Sequence, residues 1–259
     1  MSDVEGSLSS VKSIMGILGA TKSSLWPFWE SLGTLVSGIS VGDLTASETG
    51  AAAEALEDDF SPLLHQDGLH TYHFHPTGDH HLAGIDNGAY THGNGTVDTA
   101  FSVGALILPN VVNDNTILAK YDSAGNKEEY RFYIDSNGKL ALELHDASAS
   151  TKEVMVSDTA LVVGIPRFVV VTYDGDEDTP VILPYVDAVV DGDGSSTQAG
   201  AYIAMEDTDA PLTIGCAGVT ATPTLEFHGR IGLPFITGKV LSPTEVLSLW
   251  NIYRVIFGL

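Results

Sequence analysis

Cysteine is nearly missing: Cys216 stands alone in 259 residues, so no intrachain disulfide can form and the stapled framework of a small secreted module is excluded. Basic residues are scarce as well, 11 Lys plus Arg against 34 Asp plus Glu, giving a net charge of −23 at pH 7. Such a surface repels phosphate backbones and anionic head groups, so neither nucleic acid nor a membrane is an expected partner. No Lys or Arg occurs between Arg167 and Arg230, where eleven acidic residues stand. That stretch offers a negative face to cations or to a basic partner, or is simply solvated. Long apolar runs are lacking too. The stretch "ILGATKSSLWPFWESLGTLVSGI" is broken by Lys22, Pro27 and Glu30, and the acidic start "MSDVEGSLSS" has no basic n-region; no membrane span and no signal peptide are expected.

Catalytic signatures are equally sparse. There is no G-x-S-x-G, no phosphate-cradling glycine loop and no H-E-x-x-H. Nor does a pair of strand carboxylates on one face stand out for glycoside chemistry; Glu143 and Asp146 are close in "LALELHD" but point to opposite faces of a strand. A non-enzymatic chain is expected, with an unusual glycan-active enzyme as a remote alternative.

What the chain does have is apolar content, 44%, enough to bury a sizeable core. Two textures divide it. Residues 1–60 are rich in Ser, Gly and Ala and read as an irregular or short-helical extension. It holds the aromatic knot Trp26, Phe28 and Trp29, which packs on the main body or serves as an attachment anchor in another chain. "SETGAAAEALEDDF" reads as a short helix with Ser47 as N-cap. Residues 61–259 form the body, where the pattern turns to alternation. Phe101, Val103, Ala105 and Ile107 share one face, as do Tyr130, Phe132 and Ile134, and then Leu140, Leu142 and Leu144. "DSNG" at 135–138 joins the last two runs as a hairpin. Further strands, spaced by turns, predict an all-β, two-sheet antiparallel sandwich or jelly roll. A helix near the end is marked by Ser242 as N-cap, Pro243 at the first position and Glu245 completing a capping box. Leu241 and Val246 are placed as a staple, and Val246, Leu249, Trp250 and Tyr253 form the packing stripe.

The order of these segments, "FSVGALILP", "EYRFYIDSNGKLALELHD", "PRFVVVTYDG", "YVDAVV", "PLTIGC" and "FHGRIGLPFITGKVLSPTEVLSLW", resembles the laminin-G-like branch of the concanavalin A-like lectin/glucanase fold. The resemblance runs from about Leu69 to Tyr253 and includes a short helix after a Leu-Ser motif, met here by Leu241, Ser242, Glu245 and Leu249. Two departures stand out: Ala188 occupies the turn position where the family commonly has Gly, and Pro184 interrupts "VILPYVD", which suggests an edge strand or bulge. The stretch "SPLLHQDGLHTYHFH" with "HHLAGIDNGAYTHGNGTVDTAFSVGALI" looks like the single-domain form among tailed-bacteriophage structural proteins. The resemblance implies a virion protein assembled in the host cytoplasm, a capsid decoration or head or tail fibre component, homo-oligomeric and bound to other virion proteins. A carbohydrate-binding module for host-surface glycans is the alternative.

Two clusters are candidate sites. Asp174, Asp176 and Asp178, and then Asp191 and Asp193, supply oxygen ligands at alternate positions, as a calcium loop needs, although neither run is an EF-hand. Five of nine histidines fall in "HTYHFHPTGDHH", His70 to His81. As a strand, this stretch puts Tyr72 and Phe74 in the core and turns His73 and His75 outward. There they meet solvent, a neighbouring subunit, or a metal with Asp79, His80 or His81. His73-Phe74-His75 has the form of the H-x-H pairs that bind iron on a threefold axis in some phage tail spikes, which points to a trimer. Histidine also titrates near neutrality, so a pH-dependent contact is a further reading.

Overall fold

The computed structural model describes residues 2–19, 22–27, 35–36, 38–39, 44–47, 71–75, 80–218 and 224–259. Phe28, Trp29, His70 and Asp79 lie outside the described residues.

Two sheets face each other. One holds seven strands. Its middle is β6 (Phe101–Pro109) and β11 (Arg167–Tyr173), followed outward by β12 (Ile182–Val186) and β13 (Val189–Val190). On the other side of β6 lies β16 (Gly229–Thr237), whose far edge pairs end to end with β1 (Ser24–Leu25) and β4 (Thr71–Phe74). The second sheet has nine strands: β14 (Thr197–Ala199), β10 (Thr151–Ala160), β9 (Lys139–Asp146), β8 (Lys127–Ile134), β7 (Asn115–Asp122), β15 (Leu212–Ile214), β5 (His81–Gly84), β3 (Leu44–Ser47) and β2 (Leu35–Val36). All pairings are antiparallel. The expected sandwich is present.

Alternation explains the inner core. Phe101, Val103, Ala105 and Ile107 of β6 meet Tyr130, Phe132, Ile134, Leu140, Leu142 and Leu144 between the sheets. The intervening residues of β6 and β11, Leu106, Phe168 and Val170, are also buried, in a second cluster on the sheet's outer side. Near-continuous apolar runs such as "RFVVVTY" are what a strand covered on both faces requires.

Two helices supply that outer cover. α2 (Pro243–Ile256) starts with the expected capping box, Ser242 and Glu245 each bonding the other's backbone. Its buried stripe is Val246, Leu249, Tyr253 and Ile256, with Trp250 stacked on Phe168. α1 (Ser2–Leu18) buries Val11, Ile14 and Leu18 in the same cluster and ends at Gly19, whose φ of +82° lets its N–H reach back to the Met15 carbonyl. Among the described residues no helix is long and apolar enough to cross a membrane.

Two details correct the sequence reading. Ser47 does not cap a helix: it ends β3, opposite His81 of β5, so sheet pairing outweighs local helix propensity at this residue. Residues 48–56, the rest of that expected helix, lie outside the described residues. Trp26 is fully buried between the sheets, ring to ring with Tyr90 at 6.0 Å, so of its two readings it takes packing on the body.

Candidate functional site

The outer face of the nine-stranded sheet carries no described helix. Antiparallel register lines Arg131 of β8 beside Glu143 of β9, and Glu143 beside Val154 of β10. Glu143 then gathers its neighbours. Tyr133 Oη donates to its Oε1 at 2.9 Å, Lys152 Nζ at 2.7 Å, and His145 Nε2 lies 3.3 Å from Oε2. The Arg131 guanidinium lies 3.8 Å over the Tyr133 ring and donates to Thr116 Oγ1 at 2.9 Å. Tyr121 stands edge-on to His145 at 5.1 Å.

Burial pushes the Glu143 carboxyl up, but the hydrogen bonds from His145 and Lys152, together with their charge, outweigh it and hold it down to about 2. An acid that is ionised at every working pH cannot protonate a leaving group. The expected opposition to Asp146 holds too: that carboxylate accepts from Ser148 and Ala149 in its own turn. Glu143 and Asp146 are therefore engaged separately and are not held as a pair.

The acidic loops use their carboxylates locally. Asp174 Oδ1 accepts from the N–H groups of Asp176 and Val181, and Asp176 Oδ1 from those of Asp178 and Thr179. Asp193 Oδ1 accepts from the Ser195 N–H and hydroxyl, while Asp191 accepts from Thr159. These are turn-forming contacts. Among the described residues no three His, Cys, Asp or Glu side chains converge as a metal site, so Asp174, Asp176, Asp178, Asp191 and Asp193 are not brought together around a cation.

The histidine strand follows its alternation. Tyr72 and Phe74 are in the core, whereas His73 and His75 are partly exposed and packed with one another, ring centroids 6.2 Å apart. His228 joins them edge-on to His75 at 5.0 Å, a neighbour that only the β4–β16 pairing reveals. Burial, then the His75 charge, lowers the His228 pKa.

A groove of about 300 Å³ opens at one sandwich edge, between the end of β10, the connection to β11 and the β12–β13 hairpin. Leu161, Val162, Val189 and Val190 line it with Arg167 and Asp187, which pair at 2.5 Å. The hairpin turns on Asp187 and Ala188, both at positive φ, 51° and 64°. This is the mirror-image turn that suits twisted strands, with Ala188 where Gly is the unstrained choice. Pro184 lies neither in an edge strand nor at a bulge: β12 runs inside β13 and pairs Val171 of β11 in unbroken register, and the missing N–H falls just beyond the last β13 pair, where the Pro184 carbonyl accepts from Asp191. Sequence reasoning did not find this groove, because its walls come from three separate segments.

With this geometry in place, the comparisons define the class. The chain belongs to the Concanavalin A-like lectin/glucanases superfamily, whose model matches residues 83–247. No curated protein matches it significantly in sequence. Among solved structures it is similar to the binding domain of Paraclostridial Mosquitocidal Protein 1 (TM-score 0.62, 12% identity, 92% of this chain and 53% of that one). It is also similar to the Botulinum neurotoxin serotype G binding domain (0.59, 12%, 90% and 51%). A third is the serotype D ligand-binding domain in complex with N-acetylneuraminic acid (0.57, 13%, 92% and 52%). The chain spans about half the length of each, and at these identities the likeness is one of fold.

Proposed function

We propose that this protein is a non-catalytic structural and binding module of a tailed-bacteriophage virion, oligomeric and held among other virion proteins. The observation that carries the non-catalytic reading is Glu143. The strand carboxylate best placed for glycoside chemistry is locked by Lys152, Tyr133 and His145, which hold it ionised, and Asp146 is bonded into its own turn. The virion assignment draws its support from the phage-like sequence pattern of residues 61–107, and it is an argument by analogy of fold and segment order. Mass spectrometry and electron microscopy of purified particles test it: the chain should appear at a fixed copy number, and its absence from particles would exclude the reading.

Glycan recognition is the second reading. It is favoured by Tyr121 and His145, which meet edge to face beside the half-exposed Lys152 ammonium, a combination suited to a sugar ring and an acidic substituent. The serotype D domain's N-acetylneuraminic acid makes sialylated glycans the first probes. Binding on a glycan array that Lys152→Ala and Tyr121→Ala abolish would support this reading; no binding would remove it.

A further inference from the structure

We propose that the groove beside the β12–β13 hairpin is a docking site for an extended segment of another protein, aliphatic at its centre and flanked by Lys or Arg. This goes beyond the function proposed above and stands whether or not the chain is found in virions.

The apolar half of the argument is exposure. Val162, Val163, Ile165, Val189 and Val190 are between 42% and 68% exposed and gather on or next to the groove. Scattered surface valines are ordinary, but three exposed ones, Val162, Val189 and Val190, line this one concavity, and Val163 and Ile165 follow in the connection to β11, a patch that water covers poorly. The walls are also fixed in place. The Asp158 N–H bonds the Asp191 carbonyl at 2.9 Å, and Thr159 Oγ1 bonds the Asp191 carboxylate at 2.8 Å, tying β10 to the end of β13. β13 is moreover the edge strand of its sheet, the position at which an added strand finds backbone partners.

Charge selects the occupant. The one cation lining the groove, Arg167, is already paired with Asp187, while Asp191 adds a second carboxylate to the lining and Asp158 adjoins it through its N–H bond to the Asp191 carbonyl. From 168 to 229 the chain has no Lys or Arg at all. A basic flank is therefore complementary, and it would also speed encounter. A second copy, with net charge −23, is a poor match, and so is the chain's own stretch 48–70, with six acidic residues and no Lys or Arg.

The test is an array of short peptides with a central run of Val and Ile whose flanks are Lys, Ser or Glu, probed with the full chain and with Val162→Ser/Val189→Ser. Both substitutions are at exposed positions, so the fold persists and circular dichroism checks it. The Lys-flanked peptides should bind best, and the double variant should lose about tenfold or more in affinity. Equal binding of Glu-flanked peptides, no peptide binding, or binding unchanged in the double variant would overturn the proposal. So would self-association of the chain that the double variant abolishes, or a sialylated glycan in place of peptide shifting the Val162 and Val189 methyl resonances.

Discussion

The sandwich has two outer faces, and they are finished by opposite chemistry. On the seven-stranded sheet, α1 and α2 bury Leu106, Phe168, Val170, Leu233 and Phe235 in a second hydrophobic core. On the nine-stranded sheet the same kind of position holds Arg131, Tyr133 and Glu143, joined by hydrogen bonds and charge. The first face gains from removing apolar area from water and needs little geometric precision. The second gains only if each polar group keeps its partner, and one deletion leaves the others unpaired. The helix-covered face thus serves stability, and the two binding proposals fall on the polar face and on the edge between the sheets.

Five measurements break or sharpen this contrast. Tyr253 is fully buried, packs on Phe168 and donates to the Leu233 carbonyl at 2.6 Å. Tyr253→Ala should cost about 3 to 5 kcal/mol in denaturant unfolding, the largest single effect on either face.

Acid separates the polar face from the interior. His92 is buried against Phe101 with neither ring nitrogen hydrogen-bonded, and burial, then the Lys22 charge, lowers its pKa from 6.5 to about 3. The unfolded chain therefore takes up a proton below pH 6.5 that the folded chain refuses. His92 stabilisation is complete above 6.5 and lost as pH falls towards 3. Glu143, at about 2 against 4.5, is lost in the same direction but lower, from 4.5 downward. Asp98 and Glu129, whose carboxyls burial pushes up, act in the opposite sense, so the difference between variants is the informative quantity. The melting-temperature difference between His92→Phe and the parent should be constant above pH 7 and should grow in favour of the variant as pH falls to 5. At neutral pH Glu143→Ala should cost about 2 kcal/mol, because Lys152 and Tyr133 lose their acceptor, and that cost should shrink below pH 4.

Smaller still, Ala188→Gly should stabilise by about 0.5 kcal/mol, as relief of the left-handed φ exceeds the lost methyl contact and the added chain entropy. Excess calcium followed by chelator should leave the melting temperature unchanged, since the loop carboxylates already serve their own turns; an upward shift with calcium would reinstate Asp174, Asp176 and Asp178 as ligands.

Much of the fold was readable because burial repeats with a period. The runs at 101–107, 130–134 and 140–144, the "DSNG" turn and the capping box of α2 each carry their signal within a few neighbouring residues. α1 was missed because Ser and Gly dilute its stripe of Val11, Ile14 and Leu18, and β1 because two residues show no period. The sites were less legible than the fold. Glu143 was visible as a strand glutamate, but Lys152 and Arg131 reach it from adjoining strands, and register is not written in any one of them. A bulge in β8 similarly leaves Glu129 outside the register between Lys120 and Tyr121, where it meets Lys120 at 2.5 Å with both side chains shielded from water.

β16 has one more consequence, in the order of synthesis. This strand lies between β6 and the pair β1 and β4, and Thr237 bonds both Ser23 and the Leu18 carbonyl. Every other strand of both sheets leaves the ribosome before it. Until it arrives, β4 lacks its described neighbour, β1 has only the bridge between Leu25 and Ile39, and α1 waits without α2. The nascent chain must therefore hold its N-terminal apolar stripe in reserve for more than two hundred residues of translation, so completion of this fold should be slow, late and dependent on protection of that stripe.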